Sequence, residues 1–279
     1  MMHLRRSPRP ALRPFVESLW TTDERDAPPA VGSGREHVLP TGMMHVVFRL
    51  AEDPLRLFNG VDDGVGETVG VAVVGGARAS FYAREVTTPV CAVGAQLRPG
   101  AAQALFHFDA DELAGRHTRL DDLWSQSAAS IREQLCETPS LEQRLDLLDA
   151  ILSERLPAVR GVHPAVAQAL QQFSMAPGRI RDVVRDTGYS HRTFISLYRR
   201  AVGLTPKSYC RVLRFQRTLP GLFAANVSQV DVAAEAGYSD QPHFSREFRE
   251  FAGLAPRDYV RASPRSAHHV PVALRRRQA

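Results

Sequence analysis

The feature that most constrains this chain is a pattern that occurs twice near its C-terminus. The first copy reads Gly188-Tyr189-Ser190, aromatics at Phe194 and Tyr198, then Gly203-Leu204-Thr205-Pro206 and Tyr209. The second reads Gly237-Tyr238-Ser239, Phe244 and Phe248, then Gly253-Leu254-Ala255-Pro256 and Tyr259. The offset is 49 residues before the aromatics and 50 after them, so one residue is inserted between Ser239 and Phe244. A repeat of this kind is one supersecondary unit used twice.

Each copy reads as a helix, a Gly-centred turn and a second helix. In the second copy, Val230, Val232, Ala233 and Ala236 give a short amphipathic helix that stops at Gly237, the residue able to take φ > 0. Ser239 or Asp240 caps the next helix with a side-chain oxygen, and Pro242 falls in the first turn, where a missing N–H costs nothing. At about 100° per residue, Phe244, Phe248 and Phe251 share one face. Pro242, Arg246 and Arg249 point the opposite way, flanked by His243 and Ser245. The first copy repeats this with Phe194, Tyr198 and Ala201 inside and Arg192, Ser196 and Arg199 outside. A helix with an aromatic back and an outward Arg pair has the shape of a major-groove reading helix.

The run Ala233-x-x-x-Gly237-Tyr238-Ser239-Asp240-x-x-His243-Phe244-Ser245-Arg246-x-Phe248-Arg249-x-x-x-Gly253-x-x-Pro256-x-x-Tyr259 resembles the signature of the AraC/XylS family of bacterial transcription regulators. The resemblance covers residues 163–262. It implies two helix-turn-helix units, at about 179–202 and 228–252, joined by a helix and reading two successive major grooves on one face of DNA. The DNA-binding candidates are then Arg192, Ile195, Ser196 and Arg199 in the first unit and Gln241, His243, Arg246 and Arg249 in the second. Two departures stand out. Val184 occupies the place of Ala233, and Pro220 sits inside the stretch that the family uses as the connecting helix. A proline in a helix interior kinks or ends it at a cost of about 3 kcal/mol, so a break near Leu219 is expected, with a bearing on how the reading helices are spaced. Arg211, Arg214 and Arg217 recur every three residues along that stretch, which suits phosphate contacts and equally a solvated face.

Charge points the same way. From residue 160 onward Lys and Arg exceed Asp and Glu by 11, whereas residues 1–159 carry an acidic excess of 6. A chain polarised like this joins a nucleic-acid-binding half to a half with another job. The tail 263–279, with Arg275-Arg276-Arg277, reads as a disordered basic end that adds non-specific affinity.

The N-terminal half, residues 1–156, reads as an α+β, β-barrel-like domain for effector binding or dimerisation. His45–Leu50, Val69–Gly75 and Val90–Leu97 are short, Val-rich and bounded by Gly and Pro, as strands are. Pro10–Trp20 reads as a short helix or an edge element, and Ala101–Phe108 and Asp111–Leu113 as helical. The segments Leu39-Pro40-Thr41-Gly42, Val74-Gly75-Gly76 and Leu97-Arg98-Pro99-Gly100 resemble an uncharacterised sensor-type domain found ahead of this DNA-binding module. An amphipathic helix at about 140–155 carries Leu141, Leu145, Leu148 and Leu152 as one stripe, which serves either packing on its own domain or a dimer helix. Pro157 to Pro164, with Gly161, is the expected boundary.

The expected architecture is therefore multidomain: an N-terminal α+β domain followed by an all-α domain with two helix-turn-helix units. The expected function is that of a sequence-specific, effector-responsive transcription regulator and not an enzyme. Its partners would be double-stranded promoter DNA, a small-molecule effector, a second copy in a homodimer and, for an activator, RNA polymerase. No cofactor is expected. Apolar runs fall far short of the ~20 residues of a spanning helix, and the basic start lacks an apolar signal core, so the cytoplasm is the expected compartment. Two other classes stay open. One is a metal-dependent, cupin-like enzyme domain fused to the DNA-binding module; His37, His45, His107 and His117 lack the close His-x-His spacing such a site needs. The other is an architectural protein that binds DNA without sequence preference. Cys91, Cys136 and Cys210 show no paired spacing and fit reduced thiols.

Overall fold

The Val-rich stretches of the N-terminal half lack a clean alternation of polar and apolar residues because the strands they form are covered on both faces. In the computed structural model, which describes residues 2–24, 34–58, 63–86, 90–125, 127–156, 161–177, 180–224, 227–264 and 266–272, nine strands come first. They are β1 (Met2–Arg6), β2 (Val16–Asp23), β3 (Arg35–Val38), β4 (Met44–Arg49), β5 (Leu55–Phe58), β6 (Glu67–Gly70), β7 (Ala72–Gly75), β8 (Tyr82–Glu85) and β9 (Cys91–Leu97). Helices α1 (Ala101–Phe106) and α2 (Ala110–Leu113), strand β10 (His117–Arg119), and helices α3 (Leu120–Trp124), α4 (Ser127–Glu137) and α5 (Leu141–Glu154) follow.

The strands form two antiparallel sheets. One has the order β1-β2-β9-β4-β7-β10. The other, β3-β8-β5-β6, gains an edge strand from the far end of the chain, β11 (His269–Pro271), which pairs with β3. The stretch 69–75 divides between the two sheets, β6 lying in one and β7 in the other. Pro10–Trp20 is neither one helix nor an edge: a 3-10 turn, Pro10–Leu12, leads into β2, which is interior to its sheet. Between the sheets, Val47 and Val73 meet Leu55, Leu57 and Val69. The outer face of the larger sheet buries Leu19, Val46, Val74, Ala95 and Leu97 under the helices.

The leucine stripe of α5 packs inward. Leu145, Leu148 and Leu152 are fully buried in that core and Leu141 nearly so, so the stripe is not a dimer surface. The same helix buries two charges. Arg144 donates to the Thr138 carbonyl (2.8 Å) and pairs with Asp23 (3.1 Å), while Asp149 pairs with Arg6 (3.3 Å) and Arg9 (3.2 Å).

The C-terminal half is helical: α6 (Pro164–Met175), α7 (Ile180–Asp186), α8 (His191–Val202), α9 (Pro206–Gly221), α10 (Gln229–Glu235), α11 (Gln241–Ala252) and α12 (Pro256–Ala262). Pro220 does not break the connecting helix before its end. It lies in the last turn of α9, where its ring opposes only the Gln216 carbonyl and the helix closes one residue later. Sixteen residues at 1.5 Å rise make α9 about 24 Å long. The tail also departs from expectation, since residues 266–272 are ordered by the β11 pairing and Val270 is fully buried. The Arg275-Arg276-Arg277 run and residues 157–160 of the expected boundary lie outside the described residues.

Leu148→Ala is expected to lower stability by about 2–5 kcal/mol in urea unfolding, the range for a truncated core leucine, with the sedimentation mass unchanged. A changed mass at wild-type stability would instead place the stripe on an interface.

Candidate nucleic-acid interface

Both helix-turn-helix units are built by the local chemistry their sequence carries. Gly188 and Gly237 sit at φ +72° and +84°, with nothing within 4 Å of where a Cβ would stand, so only the backbone conformation asks for glycine there. Ser190 caps α8 by accepting from the Thr193 amide at 3.2 Å. Asp240 rather than Ser239 caps α11, accepting from the His243 amide at 2.7 Å. Gly203 and Gly253, at φ +84° and +73°, end the two helices in the left-handed conformation.

The backs of α8 and α11 are closed by aromatics. Phe194, Tyr198, Phe244, Phe248 and Phe251 are all fully buried. Phe215 of α9 packs edge-on to Phe248 at 5.2 Å between centroids and against Phe251 at 5.1 Å. On the fronts, Arg192, Ser196 and Arg199 of α8 and Gln241, Arg246 and Arg249 of α11 are exposed, while Ile195 and His243 are half-buried. The structure thus brings six of the eight candidates to the exposed surface of two equivalent helices and leaves Ile195 and His243 partly covered. His243 is engaged in the turn as well: its ring lies 5.3 Å from Tyr238 and its Nδ1 3.1 Å from Ser239 Oγ. Val230 was expected on the inner face of α10 but is 53% exposed; Val232 and Ala233 carry that face.

The regular Arg spacing of α9 has a use that periodicity alone did not disclose. Glu247 points from α11 toward α9 and is buried, where it accepts from Arg211 Nε (2.8 Å) and from Arg214 (2.8 Å). Arg217 donates to the Ser174 carbonyl at 2.5 Å. Arg211 and Arg214 are therefore internal clamps between the connecting helix and the second reading helix, neither a plain solvated face nor simple phosphate contacts. Burial alone would raise the Glu247 carboxyl; the hydrogen bonds and charges of Arg211 and Arg214 outweigh it and hold the group below its ordinary range.

The N-terminal half touches both reading helices. At the end of α8, Arg200 pairs with Asp109 at 2.7 Å and Arg199 with Asp111 at 3.7 Å, both acids flanking or lying in α2. Gly100 donates its amide to the Ala201 carbonyl (2.9 Å), and a Cβ at Gly203 would stand 2.9 Å from the Ala110 carbonyl. At the end of α11, His37 Nδ1 bonds the Ala252 carbonyl at 2.9 Å and stacks on Phe81 at 4.2 Å, with Gly253 pressed against both rings. These docking residues escaped sequence reading; the only local hint was the acidic run Asp109, Asp111, Glu112 ahead of a basic half.

Comparison with known proteins agrees with this anatomy. Residues 183–262 match the family described as "Helix-turn-helix domain", and residues 4–119 match "Domain of unknown function (DUF6597)". The chain is 31% identical over 83 residues to the putative HTH-type transcriptional regulator YkgA of Escherichia coli (strain K12), covering 30% of this chain and 35% of that protein. It is 32% identical over 75 residues to the HTH-type transcriptional regulator GbdR of Pseudomonas aeruginosa (strain UCBPP-PA14), covering 27% and 20%. The chain thus spans about a third or less of the length of these relatives. Among solved structures, ToxT from Vibrio cholerae O395 aligns over 82% of this chain and 94% of that one at 10% identity and a TM-score of 0.44, too loose a likeness to argue from. Residues 183–262 of this chain are thus similar to a helix-turn-helix domain found in transcriptional regulators.

Glu247→Ala is expected to cost about 3 kcal/mol, the low end for breaking a buried charge pair, because the two guanidiniums left behind reach solvent in part. The sign with pH follows from the lowered carboxyl: its contribution is complete above pH 4.5 and fades as pH falls below that value. Wild type should therefore lose stability more steeply than Glu247→Ala on acidification in denaturant melts; parallel curves would remove the clamp.

Proposed function

We propose that this chain is a sequence-specific, effector-responsive DNA-binding transcription regulator that places α8 and α11 in successive major grooves. One observation carries the reading: two helices with fully buried aromatic backs and exposed Arg fronts, presented by equivalent turns and joined by α9. Arg246 and Arg192 reach guanine edges or the adjoining phosphates, since the guanidinium fork matches guanine O6 and N7. Gln241, Ser196 and Ile195 refine the base choice, and Arg249 lies along the backbone. His243 supports the turn and meets DNA through its exposed side. Arg199 has a double role, because the acid that holds it in the free protein competes with phosphate.

That competition supplies a route for control. Asp109 and Asp111 offer carboxylates to α8 where DNA would offer phosphates, so any shift of α2 changes how freely the first reading helix docks. Promoter DNA and a small-molecule effector are the partners this reading requires; an activator would add RNA polymerase, and pairing of two chains would give a homodimer. Among the described residues no helix is long and apolar enough to cross a membrane, in keeping with work in the cytoplasm.

In footprinting on DNA upstream of its own gene, Arg246→Ala is expected to cost about 1–3 kcal/mol and to relax preference at one base position. An unchanged footprint sinks that role, and affinity that tracks salt alike on native and scrambled DNA sinks sequence-specific binding. The double change Asp109→Asn, Asp111→Asn should tighten DNA binding severalfold at low salt, with the gain shrinking as salt screens the pairs. A loss of affinity would show that α2 positions α8 for DNA instead of competing with it.

A further inference from the structure

A cleft opens between the two helix-turn-helix units. Its floor is α9, where Lys207, Arg211 and Arg214 stand at i, i+4 and i+7 and so share one face. His243 and Glu247 of α11 close one side. Pro177, between α6 and α7, and Ile180, at the start of α7, close the other. The cleft holds about 520 Å³, inside the range of about 300–1,000 Å³ in which proteins take small molecules.

The donors in this cleft are fixed before any ligand arrives. Glu247 accepts from Arg211 Nε at 2.8 Å and from Arg214 Nε and Nη2 at 3.2 and 2.8 Å, and Glu250 accepts from Arg211 Nη2 at 2.5 Å. The guanidinium planes are held as well, Arg211 over the Phe251 ring at 5.1 Å and Arg214 over the Tyr238 ring at 4.5 Å. These bonds use Nε and Nη2 and leave the Nη1 amino group of each arginine to the cleft. Lys207 is exposed, and among the described residues no carboxylate meets it. Donors that are already immobilised lose little freedom on binding, which favours affinity.

Charge decides what such a cleft takes. Lys207, Arg211 and Arg214 against Glu247 and Glu250 leave one positive charge. Cys210, His243 and Glu247 all reach the cleft, yet among the described residues no three such side chains come together to hold a metal ion. The cleft is therefore set for an anion. Its three donor groups outnumber the two oxygens of a carboxylate and match the three acceptor oxygens of a phosphate ester. Pro177 and Ile180, both half-buried, give the organic part of such an ester an apolar side.

We propose that the cleft between α9, α11 and the start of α7 binds one phosphate ester group, held by Lys207 and the outer edges of Arg211 and Arg214, with its organic part against Ile180. Two sources carry this chemistry: a free phosphate monoester of nucleotide size, and a DNA strand that crosses the cleft. His243 belongs both to the cleft and to the candidate DNA contacts of α11, so a free ester seated here competes with DNA. Only that competition rests on the regulator reading; the binding itself does not.

Lys207 is the only lysine of the chain, so reductive methylation with isotope-labelled formaldehyde places a single side-chain dimethylamino signal in the full-length protein. That signal is followed by NMR while adenosine monophosphate, adenosine at equal ionic strength and a short DNA duplex are added in separate titrations. Millimolar adenosine monophosphate is expected to shift it saturably, and adenosine to leave it in place. In calorimetry on unlabelled protein, Lys207→Gln, at an exposed position, should weaken adenosine monophosphate about tenfold or more, the weight of one charge-assisted bond. Lys207→Arg should keep most of the affinity. A signal that moves with DNA and not with adenosine monophosphate keeps the phosphate site and assigns it to the strand. Adenosine monophosphate that shifts the signal without weakening DNA binding keeps the site and removes the competition. An equal response to adenosine, no response to either phosphate source, or affinity that survives Lys207→Gln overturns the site, the last by showing diffuse attraction to the basic half.

Discussion

Tyr198 of the first reading helix and Tyr209 of the connecting helix bury their rings in the same apolar cluster as Leu12, Phe15, Leu97 and Ala101 of the N-terminal half. Their centroids lie 6.0 Å apart, and Phe173 meets Tyr198 edge-on at 5.8 Å. The first reading helix thus shares its core with the sheet and its covering helices. Apolar burial is the largest favourable term in such a structure, about 25 cal/mol for each Å² removed from water, so this contact outweighs every ion pair on the surface above it. The second unit has a cluster of its own, built on Phe215, Phe244, Phe248, Phe251 and Tyr259, but it too takes in Leu39 and Val270 from the sandwich side. Each reading helix is anchored to a different part of the N-terminal half: α8 to its helices and α11 to its strands. Their mutual spacing is accordingly fixed twice, by α9 and by the sandwich.

Double fixing explains the placement of charge. Of the arginines on α9, those facing α11 are spent on Glu247, which makes the connecting helix and the second reading helix one rigid piece. Arginines on the outer faces of α8 and α11 remain exposed to solvent. On α8, Arg199 and Arg200 also meet carboxylates of the N-terminal half. These pairs are exposed and weak singly, whereas the Glu247 clamp is buried. Internal and exchangeable pairs are sorted by burial, not by residue type.

How much of this was legible in the sequence follows from the range of each signal. Turn glycines, caps and the aromatic spine are set by neighbours within four residues, and Gly188, Asp240, Phe244 and Phe248 stand where their spacing put them. The strands of the sandwich were half-legible: β4 and β9 fell within a residue or two, but the 69–75 stretch hid a change of sheet at Val71, because a run buried on both faces carries no period. Leu141 to Leu152 announced an apolar stripe without saying what covers it. Pro220 was read as a break because a helix end is invisible until tertiary contacts show where α9 stops. Glu247 with Arg211 and Arg214, or Asp109 with Arg200, are separated by 33 to 91 residues and leave no local trace.

The least expected element, β11, has a physical meaning that its size makes plain. Three residues pair with β3, and a net gain of about 0.5–1.5 kcal/mol for each hydrogen bond leaves such a strand only modestly held. Burial of Val270 and the bonds of His268 to Gln216 (2.6 Å) and of His269 to Glu36 add to it. Its stability therefore sits well below that of the sheets it joins, in the range where local opening is common. A weak strand bridging two well-packed clusters is where a modest change in either half acts most effectively. It need not disturb either core; it only has to change how often β11 is paired. With β11 unpaired, the second unit keeps Phe215, Phe248 and the Glu247 clamp but loses one of its ties to the sandwich, and the contacts of Leu39, His37 and Phe81 and the Gln216 bond to the Pro40 carbonyl remain.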